Sequence, residues 1–305
     1  MKKIIKLFVA SYICFQSCDK KEIVPISMDI RTEKLTYAVG EDVVFDITGN
    51  PDQLTFYSGE EKHKYAYINR TKAESKEVNL EFTTNRRYGS DAQQPNSLRL
   101  FASQSFSGVY NTESIVADQW VDITSKFTLS PIASNDGYTS TGKVNLLDLQ
   151  SLGFTIDPNK LLYFGFRYMG NTGSTQPRWW IGEFALNTVT PDDQVLPITT
   201  LQSGGWTSVI FNNSPVNWVF NTSGLRFQGG GAAVGSNHVW SISKGLNLNA
   251  VDPDKGVALK NMSTRIDSFT YKYEKPGTYH VVFVGANTTV YGDSRSIKEF
   301  TIIIE

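Results

Sequence analysis

Residues 269–284 read Phe269-Thr-Tyr-Lys-Tyr-Glu-Lys-Pro-Gly-Thr-Tyr-His-Val-Val-Phe-Val284. Phe269, Tyr271 and Tyr273 alternate with polar Thr270 and Lys272, the period of a strand with one buried face. Pro276-Gly277 then sets a tight turn. Beyond it His280, Val282 and Val284 alternate with Val281 and Phe283, so the second run is apolar on nearly both faces and belongs in the middle of a sheet. The same period recurs outward from here. Val78, Leu80 and Phe82 alternate with polar residues, as do Leu98 and Leu100. Leu162, Phe164, Phe166 and Tyr168 line one face of a strand whose other face carries Tyr163, Gly165 and Arg167. Turn signals at Gly49-Asn-Pro-Asp52, Asn135-Asp-Gly137, Gly170-Asn-Thr-Gly173 and Asp252-Pro-Asp254 break the runs at sandwich-like spacing. Helical periodicity is confined to Val144–Leu152, enough for a turn or two. The expected fold is all-β, and the lack of a repeat at a propeller period favours sandwiches.

Composition narrows the function. A chain of 305 residues, 40% hydrophobic and 12% aromatic, has ample core and is no disordered segment. A net charge of −1 gives no electrostatic footprint for nucleic acid. Two cysteines exclude a disulfide scaffold, and three scattered histidines argue against a histidine-rich metal centre.

Residues 1–18 form a basic start (Lys2, Lys3, Lys6), a short apolar stretch from Leu7 to Phe15, and Gln16-Ser17-Cys18. The stretch is too short to span a bilayer and has the form of an export signal. A small residue before Cys18 resembles the bacterial lipoprotein signal, which implies that Cys18 is lipidated and becomes the mature N-terminus. Loss of three lysines then leaves 26 basic against 30 acidic residues, a net charge of −4. Residues 19–25 are a charged tether. Its opening Asp19 resembles the surface-export signal of Bacteroidetes lipoproteins, which implies the outer leaflet of the outer membrane. No other segment is apolar enough to span, so the lipid is the expected anchor.

Val39-Gly40-Glu41-x-Val43-x-Phe45 resembles the opening strands of PKD-type immunoglobulin-like (Ig-like) domains. The strands that close such a domain appear only at 269–287, where the resemblance implies its last hairpin. Phe56-Tyr57-Ser58-Gly59-Glu60 replaces the usual Trp-Asp-Phe-Gly-Asp-Gly block, so the relative is divergent. Residues 26–70 plus 255–305 are therefore expected to form one split Ig-like sandwich of about 95 residues, a normal size. Residues 76–250 form an inserted domain. Within it Leu98-Arg-Leu-Phe-Ala-Ser103, Gln119-Trp-Val-Asp-Ile-Thr124, Leu162–Tyr168 and Arg178-Trp-Trp-Ile-Gly-Glu-Phe184 are similar to jelly-roll modules of the galactose-binding-like type. The whole resembles a domain-of-unknown-function family of surface lipoproteins. Some members are linked with SusC/SusD-type glycan uptake, which implies a poly- or oligosaccharide ligand and such a complex as partner.

All six tryptophans (120, 179, 180, 206, 218 and 240) fall in the insert. Each either fills the core or stacks on a sugar ring. Trp120 is expected in the core. Trp179 and Trp180 are neighbours on one strand, so one is buried and the other lies on the outer face. Trp206 and Trp218 flank the loop 212–217. Loops 85–97 and 169–178 are rich in amides and arginine, groups that donate and accept in fixed planes. If they share one end of the domain, Arg86, Arg87, Tyr88, Arg178 and Trp179 or Trp180 line one cleft. The alternative is that they are solvated loops.

Gly229-Gly-Gly231-Ala-Ala-Val-Gly235 lacks the strand-to-helix context of a phosphate loop and is expected as a close backbone approach. Asp148, Asp157 and Glu183 are the candidate carboxylates of a glycosidase, with nothing to fix their separation. No dedicated calcium loop is present; Asp91, Asp118 and Asp136 are the candidate ligands of a structural calcium, and no other cofactor is expected. Three readings stand. The first is a non-catalytic glycan-binding lipoprotein, the second an adhesion module binding a protein, the third a glycoside hydrolase.

Overall fold

A computed structural model describes residues 25–305 apart from Asn50, Ser134, Asp136 and Tyr291. Cys18, the rest of the expected export signal and Asp136 lie outside the described residues. Within them the chain is all-β, with strands joined by short 3-10 turns and no α-helix. The chain leaves one compact unit after Asn69 and re-enters it at Pro253; Arg70–Asp252 form the other unit.

The first unit opens with β1 (Met28–Thr32), β2 (Thr36–Tyr37), β3 (Asp42–Gly49) and β4 (Gln53–Tyr57). The second unit holds β5 (Glu77–Arg87), β6 (Leu98–Ser103), β7 (Val121–Asp122), β8 (Thr139–Ser140), β9 (Val144–Asn145), β10 (Tyr163–Gly170), β11 (Arg178–Val189), β12 (Val195–Thr200), β13 (Thr207–Phe211), β14 (Trp218–Asn221), β15 (Gly224–Phe227) and β16 (Asn237–Ile242). The returning chain supplies β17 (Val257–Lys260), β18 (Ser268–Lys272), β19 (Gly277–Thr289) and β20 (Gly292–Ile304).

The first unit is a sandwich of a three-stranded sheet, β1-β3-β18, on a five-stranded sheet, β17-β4-β19-β20-β2. β19 lies inside its sheet, between β4 and β20, as its two apolar faces demand. β18 does not pair with β19; it pairs with β3 in the other sheet. Pro276-Gly277 therefore carries the chain across the sandwich and closes no hairpin. The aromatic alternation explains the crossing. Tyr273 and Tyr279 stack at 4.2 Å from opposite sheets, and Phe56 of β4 meets Phe269 at 4.8 Å and Tyr271 at 5.0 Å. Paired as a hairpin, these rings would share one face and leave the facing layer empty. Burial pushes the Tyr273 phenol up, so it stays a neutral donor, to the Ser58 carbonyl at 2.8 Å.

The second unit packs the sheet β13-β16-β10-β6-β7 on the larger sheet β14-β15-β11-β5-β8, to which β12 and β9 add. Leu80 and Phe82 of β5, Phe164, Phe166 and Tyr168 of β10, and Ile181, Phe184 and Leu186 of β11 fill the space between. Burial of each such side chain contributes roughly 1.5–3 kcal/mol. The other face of β10 is also covered. Tyr163 packs with Phe101, Phe106, Trp120 and Trp240 into a second apolar cluster. Gly165 lies beneath two indoles: a Cβ there would come within 2.7 Å of the Trp240 ring and 3.2 Å of Trp120. The helical signal at 144–152 resolves into β9 and two 3-10 turns, Leu146–Asp148 and Gln150–Leu152. No helix among the described residues is long and apolar enough to cross a membrane.

Candidate functional site

The adjacent tryptophans of β11 part as strand geometry requires. Trp179 is 3% exposed and points into the core, where its Nε1 donates to the Ser97 hydroxyl at 3.0 Å. Trp180 is half-buried on the outer face of the larger sheet. Arg178, two residues earlier and so on the same face, holds its guanidinium 4.7 Å from the Trp180 ring and 5.0 Å from the Tyr88 ring. Its Nη2 also donates to the Tyr88 hydroxyl at 3.2 Å. Each cation–aromatic contact contributes about 0.5–1 kcal/mol at such a site.

Register completes the face. Arg87 of β5 stands opposite Arg178, and Arg226 of β15 opposite Trp180. Arg87 also lies 5.7 Å from the Tyr88 ring. Tyr88 takes φ +66°, a left-handed conformation rare outside glycine, and strain of this kind gathers at binding sites. The structure thus brings Arg178, Trp180, Arg87 and Tyr88 together and adds Arg226, which the sequence reading did not single out. Leu225 and Phe227 alternate inward around Arg226, which marks it as outward-facing, but nothing local says that β15 pairs with β11.

The ends of these strands are fixed from below. Burial keeps the Tyr168 phenol neutral, and it donates to the Pro177 carbonyl at 2.9 Å, one residue before Arg178. Gly229 takes φ +68°, and a Cβ there would fall 2.4 Å from the same carbonyl oxygen, so the glycine run is a close backbone approach. The amide-rich loops do meet, but their buried amides bind one another. Gln94 accepts from the Asn171 amide N–H at 2.7 Å and donates to the Ser174 hydroxyl at 2.6 Å. Gln176 donates to the Gly235 carbonyl at 2.9 Å and accepts from Asn237 at 2.6 Å. These amides serve as struts. Beside them a cleft of about 280 Å³ opens between Tyr88, Thr175, Gln228 and Gly229–Gly231. Tyr88 joins this cleft to the Trp180 face.

Other candidates lie elsewhere. Trp218 is buried, its Nε1 donating to the Val239 carbonyl at 3.3 Å. Trp206 packs on Phe166 and Phe184, and its Nε1 reaches the Leu201 carbonyl at 2.9 Å. Both serve the core because their rings meet its phenylalanines and their N–H groups are satisfied internally. Arg86 points inward, paired with Asp91 and 5.5 Å from the Trp179 ring. Asp91 is thus engaged by a guanidinium, and Asp118 sits in the 3-10 turn Ala117–Gln119. No group of three or more His, Cys, Asp or Glu among the described residues is arranged to hold a metal ion. Glu183 shares a second cleft, of about 390 Å³, with Glu81 where a bulge shifts β11 between Ile181 and Phe184. Asp148 lies in the 3-10 turn Leu146–Asp148, and Asp157 accepts from the Asn159 amide at 2.9 Å. Neither lines that cleft.

Fold and site define an all-β protein with a cationic, aromatic sheet face. The chain belongs to the DUF5017 family, a domain of unknown function, which matches residues 17–206. No curated protein matches the sequence significantly.

Proposed function

We propose that this protein is a non-catalytic, glycan-binding lipoprotein of the Bacteroidetes type. Cys18 carries the lipid and holds the chain at the outer membrane, facing outward. A divergent PKD-like unit forms the stalk, and the jelly-roll-like unit presents the ligand face to a poly- or oligosaccharide. Captured glycan passes to an uptake complex of the SusC/SusD type. One observation carries the reading: Trp180, with Arg178 stacked on it, offers a half-exposed indole on a strand paired on both sides, beside a polar cleft. The C–H face of a sugar ring fits such an indole, and guanidiniums fix its polar groups.

A second reading, adhesion to a protein partner, draws on Val219 and Phe220. Both are about two-fifths exposed on the outermost strand of the larger sheet, and exposed apolar edges suit protein contact. The deciding experiment runs residues 19–305, which include every described residue, through native gels containing plant, host and microbial polysaccharides, with reducing-sugar release assayed in parallel. Retardation by a polysaccharide, lost in Trp180→Ala and unaccompanied by new reducing ends, is the expected result. Retardation by none directs the search to a protein partner. Release of reducing ends, lost in Glu183→Gln, would replace the proposal with a hydrolase.

A further inference from the structure

The charge of the Trp180 face says more about its ligand than the aromatic ring does. Several arginines elsewhere in the structure pair with a carboxylate: Arg31 with Asp29, Arg86 with Asp91, Arg99 with Asp122 and Arg265 with Asp267. Arg178 and Arg226 do not. Among the described residues neither pairs with a carboxylate, and the Nε–H of each is covered and has no acceptor. The neighbours that stand in register with Arg178 and Trp180 are Arg87, Asn85 and Arg226, none of them acidic. This concentration of positive charge belongs to a chain whose net charge is −1, so it is a local feature and not the drift of a basic protein.

The geometry suits a bridging anion. Residues directly opposite on paired strands have Cβ atoms about 4.5–5.5 Å apart, and diagonal neighbours about 7–8 Å, within reach of long side chains. Arg226 is opposite Trp180 and diagonal to Arg178. Their two planar forks can close on one oxyanion from either side, while the indole between them carries a ring. Guanidinium groups match carboxylate and sulfate oxygens two at a time.

We infer that the ligand of this face is an acidic saccharide, its sugar ring on Trp180 and its carboxylate or sulfate held between Arg178 and Arg226. The inference rests on the glycan-binding reading and narrows it to a charge class.

The test is isothermal titration of residues 19–305 with five polymers, at low and at high sodium chloride. Polygalacturonate supplies carboxylate alone and dextran sulfate supplies sulfate alone. Galactan and levan are neutral, and single-stranded DNA is a polyanion without the sugar-acid pattern. An acidic polysaccharide is expected to bind at least tenfold more tightly than either neutral one, and to weaken as salt rises. Which of the two binds names the acid group. Arg178→Gln and Arg226→Gln are each expected to lower affinity roughly ten- to hundredfold, the value of a charge-assisted hydrogen bond, with the fold kept and the melting temperature lowered by no more than a few degrees, since Arg178 also gives up its contacts to Trp180 and Tyr88. Arg226→Lys, which keeps the charge and loses the fork, covers the case in which Arg226→Gln fails to fold; it is expected to lose most of the same affinity. Binding of a neutral polymer as tight as that of the acidic ones, and dependent on Trp180, would leave the glycan reading standing and overturn the acidic one. DNA bound as tightly as the acidic polysaccharide would overturn it too, as mere attraction between opposite charges. Binding of none of the five removes the inference together with its premise.

Discussion

The Arg178 guanidinium lies 4.7 Å from the centroid of the Trp180 ring, two residues along one face of one strand. The guanidinium therefore covers one face of the indole, and the half-buried ring keeps part of its surface exposed on the outer face of the sheet. Trp180→Ala removes a half-exposed ring, so unfolding in urea is expected to shift by about 1 kcal/mol or less. Ligand retardation in the affinity gel is expected to vanish. A loss of stability as large as that of a core tryptophan would show that Trp180 is structural.

Its neighbour Trp179 makes the opposite case. The ring is buried in the core and its N–H is satisfied by Ser97. Trp179→Ala is expected to cost about 3–5 kcal/mol in urea denaturation, the range of large-to-small core changes. A value near that of Trp180→Ala would contradict the facing of β11.

Gly165 sits where the Trp240 ring covers β10. Gly165→Ala would put a methyl within 2.7 Å of that ring, in a cluster that also holds Trp120, Phe101 and Tyr163. The expected loss is roughly 1–3 kcal/mol, as for an overpacked core, with a change in near-ultraviolet circular dichroism as the two indoles move. A neutral result would show that the outer cluster is loosely packed.

The fold class was legible because period-2 alternation follows from strand geometry alone, as at Val78–Phe82 and Leu162–Tyr168. Strand partners were not. The run 269–284 announces two strands and a turn, but alternation cannot tell whether Tyr273 and Tyr279 lie side by side in one sheet or face each other across two. Long-range packing decides that, and here the two rings stack face to face. The candidate site divides along the same line. That one of Trp179 and Trp180 must face outward was readable from pleating; which one was not, since it depends on what lies beneath β11. Arg226 escaped notice because its place beside Trp180 depends on the pairing of β15 with β11. The amides of loops 85–97 and 169–178 were conspicuous, yet composition does not reveal whether an amide binds ligand or its neighbouring loop. Gln94 and Gln176 bind loops.

Stability should also respond to pH through one histidine. His238 stacks on Phe211 at 4.4 Å, and its Nε2 accepts from the Trp240 Nε1 at 3.1 Å. That bond requires the unprotonated Nε2, hence the neutral ring. Burial first, and the nearby Arg167 charge second, hold the His238 pKa below its ordinary value of about 6.5. A depressed pKa means that the unfolded chain takes up the proton before the folded one does. Its contribution is therefore complete above pH about 6.5 and declines as pH falls toward the lower, folded-state pKa. Thermal melts between pH 7.5 and 5 are expected to show a falling melting temperature in the native chain. His238→Gln keeps an acceptor for Trp240 and cannot take up a proton, so its decline over the same window should be shallower. An equal slope in the two proteins would mean that the pH dependence arises at other groups and that His238 titrates alike in the folded and unfolded states.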